Sequence, residues 1–254
     1  MKFVRAGALL VVVVMTVVLF IGAGALPAIY NPQSPASTHV SDRYIEKSVE
    51  ETGSLNFVTA VLADYRGYDT LGETTVIFTA GLAAVVLLRS AQKADSRGKK
   101  VPLAKAGKGM SERFGTIVLN TAARFVIPFV TLYGVYVLVG GGEGNPGGGF
   151  QSGAVLAIAI IISRLVYGEG AAFNISGDLA LILAGIGTFI YAFVGVLTLL
   201  WGGNFLEYGI APFLMSAAEK HSLGISGIEI GVTLCVMATI IAIFDALARK
   251  EEVS

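Results

Sequence analysis

Residues 64–73 read Asp-Tyr-Arg-Gly-Tyr-Asp-Thr-Leu-Gly-Glu and run directly into an uncharged segment from Thr74 to Leu88. This stretch places four ionisable side chains at the mouth of a segment apolar enough to enter a bilayer, namely Asp64, Arg66, Asp69 and Glu73. An ionisable side chain at the centre of a membrane helix costs about 2.5–3.5 kcal/mol by insertion scales, so such groups usually face a cavity or a partner. The stretch therefore predicts a membrane protein that lies on or beside the path of an ion.

The composition is that of a membrane protein. Of 254 residues, 54% are hydrophobic and 14% are charged, and the mean hydropathy is +0.74. A soluble domain carries about 25% charged residues, so this chain lacks the charge to coat a water-exposed surface. The lone Cys235 and the distant His39 and His221 offer neither a disulfide framework nor an evident ligand set. No metal and no cofactor are therefore expected.

Six apolar stretches qualify, or nearly qualify, as transmembrane helices. Crossing the hydrocarbon core takes about 20 apolar residues in a helix. The second stretch, Thr74 to Leu88, falls below this length only if the acidic residues that precede it are not counted. The sequence predicts an all-α integral membrane helix bundle with spans at Phe3 to Leu26, Thr74 to Leu88 with its flanks, Thr116 to Val139, Gly153 to Tyr167, Leu179 to Trp201, and Ile228 to Ala248.

The first stretch also has the features of a cleaved signal peptide. Lys2 and Arg5 precede its apolar run, and the small residues 22–25 follow it. The run is long for a signal peptide, and a membrane protein needs no soluble export. Retention of residues 1–26 is therefore favoured over cleavage.

The distribution of basic residues predicts the orientation. Residues 89–113 contain eight basic side chains against two acidic ones, and basic residues also precede the first span and follow the sixth. The positive-inside rule then places both termini and this loop in the cytoplasm, and residues 27–70, 140–152 and 202–226 outside. A multi-pass protein of the cell membrane is expected. Contact of the loop with nucleic acid or anionic lipid is the less favoured interpretation, and no nucleic-acid partner is predicted.

The same loop divides the chain. Residues 1–89 form a predicted two-helix unit, residues 90–113 a cytoplasmic basic linker, and residues 114–254 a four-helix unit.

Helix capping is the simplest explanation of residues 64–73. Thr70 and Glu73 fit a capping box, Asp69 is an alternative cap, and Asp64 is placed to pair with Arg66. Gly67 would supply the turn between a helix at about 56–64 and the spanning helix. Capping does not explain why three acids and one base gather at one membrane entrance. A carboxylate there can exchange a proton or hold a hydrated cation, and both explanations stay open.

The second motif is a glycine-rich loop at residues 140–150. It lacks the lysine and the preceding strand of a nucleotide-binding loop. One interpretation is a tight outer hairpin. The other is a broken helix start whose backbone lines a polar gap, since bare backbone inside a bilayer must be satisfied by protein or water. The residues that would shape this gap are Pro146, Gly147, Gly148, Gly149 and Phe150.

Three further charges lie in or near the later spans. Arg124 and Arg164 lie towards cytoplasmic helix ends and are expected to snorkel. Asp245 lies in the last turn of the sixth span, where the helix dipole disfavours an acid, and is expected to pair with Arg249.

Glu229 follows Ser226 in a Ser-x-x-Glu arrangement and is interpreted as a second capping box, which opens the sixth span. No nucleophile elbow, zinc-protease motif or cysteine pair is present. We therefore expect a chain without its own catalytic centre.

The glycine loop resembles a known family signature. Asn145-Pro-Gly-Gly-Gly-Phe150 followed by Gly153 is similar to the loop of the MrpB (MnhB) subunit of multisubunit Na+/H+ antiporters, except that Gly144 replaces the family's histidine. Residues 225–232 resemble the family's closing segment, with Ile228 and Glu229 in place of Phe and Asp. This resemblance covers about residues 114–250.

The first unit resembles another part of the same system. Residues 64–73 are similar to a segment at the C-terminal end of the large MrpA subunit. In archaeal membrane-bound hydrogenases that portion is a separate small protein, MbhE, encoded beside an MrpB-like MbhF. The resemblance implies a fusion of the two in a sodium/proton antiporter module. Its implied partners are other Mrp-type subunits and hydrogenase-like or sulfane-reductase-like subunits, with membrane lipid, Na+ and H+.

The expected function is a contribution to cation and proton translocation within a redox-driven respiratory complex. Glu73 is the first candidate for the ion path, followed by Asp69 and Asp64, with Arg66 tuning their charge. The alternatives are a non-translocating scaffold of the same complex, a component of a stand-alone Na+/H+ antiporter, and a membrane enzyme that uses one carboxylate.

Overall fold

The computed structural model describes residues 2–95, 117–141, 144, 147–171 and 173–251. Among these residues the regular structure is helical, without strands, which confirms the predicted all-α class. The chain falls into two compact units, Met1–Glu46 and Lys47–Ser254. Most of the predicted linker, residues 96–113, lies outside the described part, so the predicted boundary at 90–113 stays a prediction.

The first unit contains helix α1, Lys2–Gly24, a π-helical turn at Ala36–Val40, and the start of helix α2, Ser41–Thr52, whose residues from Lys47 onward are counted in the second unit. The side chains of Ala6–Gly24 are exposed, and this segment has neither an acid nor a base. An apolar helix with such a surface suits contact with lipid or with another membrane chain.

The second unit is built around one long helix. Asn56 caps the short helix α3, Phe57–Ala60, by accepting from the amides of Val58 and Thr59, and a π-helical turn follows at Val61–Tyr65. The remaining helices are α4 Gly67–Asp95, α5 Ile117–Gly140, α6 Gly149–Tyr167, α7 Gly177–Leu200 and α8 Ala217–Glu251, with 3-10 turns at Gly168–Gly170 and Tyr208–Ile210.

Six helices of the described chain are long and apolar enough to cross a membrane, which confirms the predicted number. Their spans are Ala6–Gly24, Gly67–Ser90, Val118–Gly140, Gly149–Tyr167, Gly177–Leu200 and Ala217–Ala248. The second span therefore includes the acidic entrance at residues 67–73. The fourth begins at Gly149 instead of Gly153.

The start of the sixth span differs most from the sequence prediction. A capping box forms at Ser216 and Glu219, where the Glu219 amide donates to Ser216 Oγ (3.3 Å) and the Ser216 amide donates to Glu219 Oε2 (2.8 Å). Helix α8 therefore begins at Ala217, and the predicted cap at Ser226 and Glu229 is wrong. Ser226 donates instead to the carbonyl of Ser222 within the helix.

Helix α8 forms the centre of the second unit and packs against α4, α6 and α7. The closest backbone approach to α7 involves two glycines: a Cβ on Gly187 would lie 2.5 Å from the Gly231 carbonyl oxygen, and one on Gly231 would lie 2.7 Å from the Gly187 carbonyl oxygen. Small residues at such crossings let membrane helices gain van der Waals contact, because lipid supplies no hydrophobic drive between them.

A buried ion pair joins three of these helices. Arg164 on α6 donates to Asp245 Oδ1 on α8 (2.7 Å) and to the Ile175 carbonyl oxygen (3.2 Å). The Gly177 amide at the start of α7 donates to Asp245 Oδ2 (3.1 Å). The two side chains are 17% and 8% exposed, so Arg164 does not snorkel and Asp245 does not depend on Arg249 for a partner. The side chain of Arg249 lies outside the described residues.

We expect Gly187→Ala to destabilise the bundle by about 1–3 kcal/mol, the usual range for overpacking a tight contact. Its Cβ would meet backbone atoms of α8, which cannot move aside as a flexible side chain can. Thermal unfolding of the purified assembly measures the change. Gly185→Ala on the same helix is the matched control, because its Cβ would lie 3.5 Å from Phe78, an ordinary contact. Equal effects of the two variants would contradict the close crossing.

We expect Arg164→Gln to lower the stability of the bundle by about 3–5 kcal/mol, because it leaves Asp245 buried without its cation. The same substitution at Arg124, whose side chain is exposed, should have a much smaller effect. Yield and thermal unfolding of the membrane-extracted assembly compare the two variants. If the Arg164 variant is as stable as the wild type, the pair does not hold the three helices together.

Candidate ion-transfer site

The two motifs identified in the sequence meet at one cavity. The cavity has a volume of about 40 Å³, which is room for about one water molecule. Its walls come from three parts of the chain: residues 58–63 with Thr70, the loop residues 147–151, and one face of α8 around Glu229. Pro146 lies outside the described residues, whereas the other predicted loop residues, Gly147, Gly148, Gly149 and Phe150, all line the cavity.

Glu229 supplies the carboxyl group of this cavity. It lies three turns inside α8, is 7% exposed, and makes no hydrogen bond or ion pair with the described residues. Its Oε1 faces the loop, where a Cβ on Gly148 would lie 3.3 Å from that oxygen. A buried carboxyl without a partner is costly, particularly within a membrane span, and is usually functional.

The glycine loop brings a helix N-terminus to this carboxyl. Helix α6 begins at Gly149, directly after the loop, so the amides of its first turn and the positive end of its dipole lie beside the cavity. Gly147 has a φ of +149°, and a Cβ there would lie 2.9 Å from the Val137 carbonyl oxygen. Glycine is therefore required for the loop to fold back against α5. The loop is followed directly by a helix start and lines the cavity that contains the Glu229 carboxyl.

Side-chain hydrogen bonds fix the start of α6. Thr233 donates to the Gly149 carbonyl oxygen (3.2 Å), and Ser152 donates to the Gly134 carbonyl oxygen on α5 (2.8 Å). A Cβ on Gly149 would lie 2.7 Å from the backbone oxygen of Glu229, so α6 and α8 approach each other closely beside the cavity.

The acidic entrance is paired differently from the sequence prediction. Asp64 binds His221 on α8, with 2.5 Å between Oδ2 and Nδ1, and does not pair with Arg66. Arg66 instead binds Asp69, three residues further on, through Nε (2.6 Å), and both side chains are exposed. The reason is that positions two apart do not face each other on a helical backbone, whereas positions three apart do.

The predicted capping box at Thr70 and Glu73 is also wrong. Helix α4 begins at Gly67, so Thr70 is already within its first turn, and its hydroxyl donates to the Leu62 carbonyl oxygen (2.7 Å). Gly67 does not supply the predicted turn: it is the first residue of helix α4, and Arg66 ends the preceding π-helical turn. The side chain of Glu73 is exposed on the surface of this chain. Thr70 lines the cavity, whereas Glu73 does not.

Two tyrosine side chains form hydrogen bonds with the backbone of residues 63–67, next to the acidic entrance. Tyr191 on α7 donates to the Gly67 carbonyl oxygen (2.6 Å), and Tyr208 donates to the Ala63 carbonyl oxygen (2.9 Å). The ring of Tyr208 packs edge-on against His221, with 5.9 Å between centroids. Burial, followed by the nearby Tyr191 and Asp64, raises the pKa of Tyr208 well above its ordinary value, so this phenol stays neutral.

Sequence reasoning missed Glu229, His221, Tyr191 and Tyr208 as members of this region. A usable signal existed for Glu229, because Ser216-Ala-Ala-Glu219 is an equally good helix start and the residues on both sides of Glu229 are apolar. No comparable signal exists for the tyrosines, whose partners lie 124 and 145 residues away. Within the described part of the chain, no three His, Cys, Asp or Glu residues are placed to hold a metal ion.

Six apolar helices of membrane-spanning length, together with a buried carboxyl that makes no hydrogen bond or ion pair with the described residues, define a polytopic membrane protein with an internal carboxyl site. Residues 118–242 match a domain related to the MnhB subunit of the Na+/H+ antiporter, and residues 9–101 match MbhE, the E component of MBH. The chain therefore belongs to the Mrp/Mnh-type antiporter subunits and joins an MbhE-like region to an MnhB-like region. This result confirms the resemblance found in residues 64–73 and 145–150.

Similar proteins support the same assignment. A Rhizobium meliloti protein named as the probable A/B component of a K+/H+ antiporter is 27% identical over 90% of this chain, which spans 24% of that protein. A chain of the archaeal membrane-bound sulfane sulfur reductase is 28% identical, with a TM-score of 0.61 over 96% of this chain and 97% of that one. A chain of the Mrp complex from Dietzia is 28% identical, with a TM-score of 0.64 over 96% of this chain and 26% of that one.

Proposed function

We propose that this chain contributes proton transfer to a cation/proton antiporter module within a redox-driven respiratory complex of the membrane-bound hydrogenase or sulfane reductase type. Its partners would be other Mrp-type subunits and the redox subunits of that complex, in the cell membrane. The sulfane reductase chain supports this choice because its full length corresponds to this chain, whereas the Mrp chain is about four times longer. Electron transfer would belong to the partners.

The observation that carries the proposal is the buried carboxyl of Glu229. A carboxyl within a membrane span that has no partner can release and take up a proton without first breaking an ion pair. The cavity beside it has room for about one water molecule, which can pass that proton on.

The position of α6 favours a proton over a cation at Glu229. The positive end of the α6 dipole stabilises the carboxylate and opposes a sodium or potassium ion at the same place. A cation would therefore bind elsewhere. Glu73 remains the first candidate for a cation or proton site, followed by Asp69 and Asp64, with Arg66 tuning their charge. Because Glu73, Asp69 and Arg66 are exposed in this chain, a neighbouring subunit would complete that part of the path.

Sodium is the proposed cation of the module. The rhizobial relative is named as a component of a K+/H+ antiporter, so the transport assay should compare sodium salts with potassium salts. The main rival is a scaffold subunit that moves no ion, which the internal pairing of Asp64 with His221 and of Asp69 with Arg66 favours. Glu229 distinguishes the two functions, because a scaffold gains nothing from a buried carboxyl without a partner.

We expect Glu229→Gln to leave assembly intact and reduce cation-coupled proton movement to background. The amide has nearly the same volume but does not titrate, and a buried neutral group costs less than a buried charge. Proton movement is measured with a pH-sensitive dye in vesicles that contain the whole complex, in sodium and then in potassium salts. Glu73→Gln is expected to reduce transport as well.

Glu50→Gln is the matched control, because Glu50 is an exposed acid that pairs with the neighbouring exposed Lys47. This variant should transport normally. Wild-type transport by a fully assembled Glu229→Gln complex would remove the proposed proton site and favour the scaffold function.

The orientation forms a separate prediction. Eight basic residues lie in residues 89–113, so this loop is expected in the cytoplasm and residues 27–52 outside. A cysteine at position 99 should react with an impermeant maleimide only in inverted vesicles, and one at position 33 only in intact cells. The native Cys235 is buried and should stay unlabelled. Labelling of position 99 from outside intact cells would reverse the topology.

A further inference from the structure

We propose that the side-chain amide of Gln151 is the polar entrance through which the Glu229 carboxyl exchanges its proton with the exterior of this chain. Gln151 lies in the first turn of α6, Glu229 lies inside α8, and both line the cavity of about 40 Å³. Gln151 is a positioning residue in this role, because an amide orders water but does not titrate. Its importance for transport rests on the proposed function, whereas the route between the two side chains is a property of the cavity.

The mouth of the cavity is identified by the exposure of the residues that line it. Glu229 and Thr70 are buried, as are most of the other lining residues. Among the described residues of the lining, the exposed ones are Val58, Leu62 and Gln151. The first two are apolar. Gln151 is therefore the polar group at which water from outside the chain can enter.

Gly148 leaves a space that both side chains can reach. A Cβ at this position would lie 3.3 Å from Gln151 Oε1 and 3.3 Å from Glu229 Oε1. Because glycine has no Cβ, no side chain occupies the space between these two oxygens. Hydrogen bonds between oxygen atoms are about 2.8 Å long, and the cavity has room for about one water molecule. A water molecule beside Gly148 can thus contact Glu229 and Gln151 together.

The other polar side chains of the lining are already engaged. The hydroxyl of Thr59 donates to the Gly141 carbonyl oxygen (2.9 Å), and that of Thr70 donates to the Leu62 carbonyl oxygen (2.7 Å). Gln151 forms no hydrogen bond with another residue of the described chain. Its amide oxygen and its two amide hydrogens are therefore available to water.

The proton leaves Glu229 in two steps. The O–H bond of the carboxyl breaks as an O–H bond to the water beside Gly148 forms, which leaves a carboxylate and a hydronium ion. The amide oxygen of Gln151 accepts a hydrogen bond from the hydronium ion, which then gives its extra proton to a second water at the mouth. Uptake follows the same steps in reverse.

The packing of α6 against α8 closes the direction away from this mouth. Gly153 lies one turn after Gly149 on α6, and a Cβ there would lie 2.8 Å from the Thr233 carbonyl oxygen and 2.9 Å from Val236 Cβ. These contacts leave no space for a water molecule between the two helices at this level. Water therefore does not reach Glu229 between α6 and α8 from that direction.

Hydrogen–deuterium exchange of the Glu229 carboxyl in the whole complex tests the entrance. Infrared spectroscopy follows it, because the C=O band of a protonated carboxyl shifts when a deuteron replaces the proton, and the band that Glu229→Gln removes belongs to Glu229. Gln151→Leu keeps a similar volume but has no polar atom to hold water. We expect this variant to slow the shift several-fold. Gly148→Ala should also slow it, because its methyl group would fill the space between the two oxygens.

Gln33→Leu is the matched control, because Gln33 is exposed and does not line the cavity. It should exchange at the wild-type rate. Gln151→Asn should exchange faster than Gln151→Leu, because it keeps the amide, whereas a packing role would favour leucine, which is closer to glutamine in volume.

The exchange rate does not depend on transport, so it tests the entrance even if Glu229 proves unimportant for ion movement. Exchange at the wild-type rate in both the Gln151→Leu and the Gly148→Ala complexes would overturn the proposal. Loss of assembly in both would assign these residues a structural role and overturn it as well.

Discussion

The close approach of three helices to α8 is the constraint on which the rest of the structure depends. Each neighbour presents a glycine to it: Gly187 on α7, Gly149 and Gly153 on α6, and Gly81 on α4. In lipid, helices gain nothing from hiding apolar surface from one another, so direct backbone contact must hold them. The same closeness leaves little space inside the unit, and the cavity at Glu229 occurs where the loop at residues 147–148 interrupts this packing.

Within this tight bundle, polar groups follow two different patterns. Arg164 and Asp245 neutralise each other, and each also has a backbone partner, a carbonyl oxygen for Arg164 and an amide for Asp245. Glu229 is equally buried but lacks a counterion among the described residues, so no ion pair has to break when it takes up or releases a proton. The contrast between the two buried acids on one helix supports a structural role for Asp245 and the proposed proton-transfer role for Glu229.

The apolar runs were sufficient to predict six spans and an all-α bundle, because length and hydropathy alone decide whether a helix can cross a bilayer. The ends of the spans were less predictable. Two Ser-x-x-Glu sequences lie ten residues apart before the last span, and the local pattern does not say which one caps the helix. The pairing of Asp245 with Arg164, 81 residues away, depends on the tertiary fold and could not be predicted. The sequence instead favoured Arg249 as the partner of Asp245, because residues four apart are neighbours on a helix surface.

The cavity gives a physical reason to join the MbhE-like and MnhB-like regions in one polypeptide. Its walls require Leu62, Ala63 and Thr70 from the first region and Gly148 and Glu229 from the second. Tyr191 and Tyr208 add two hydrogen bonds from the second region to the backbone of the first. Linking two such parts converts their association into an intramolecular step with an effective concentration of about millimolar or more. Even modest contacts across the cavity then suffice to keep it assembled.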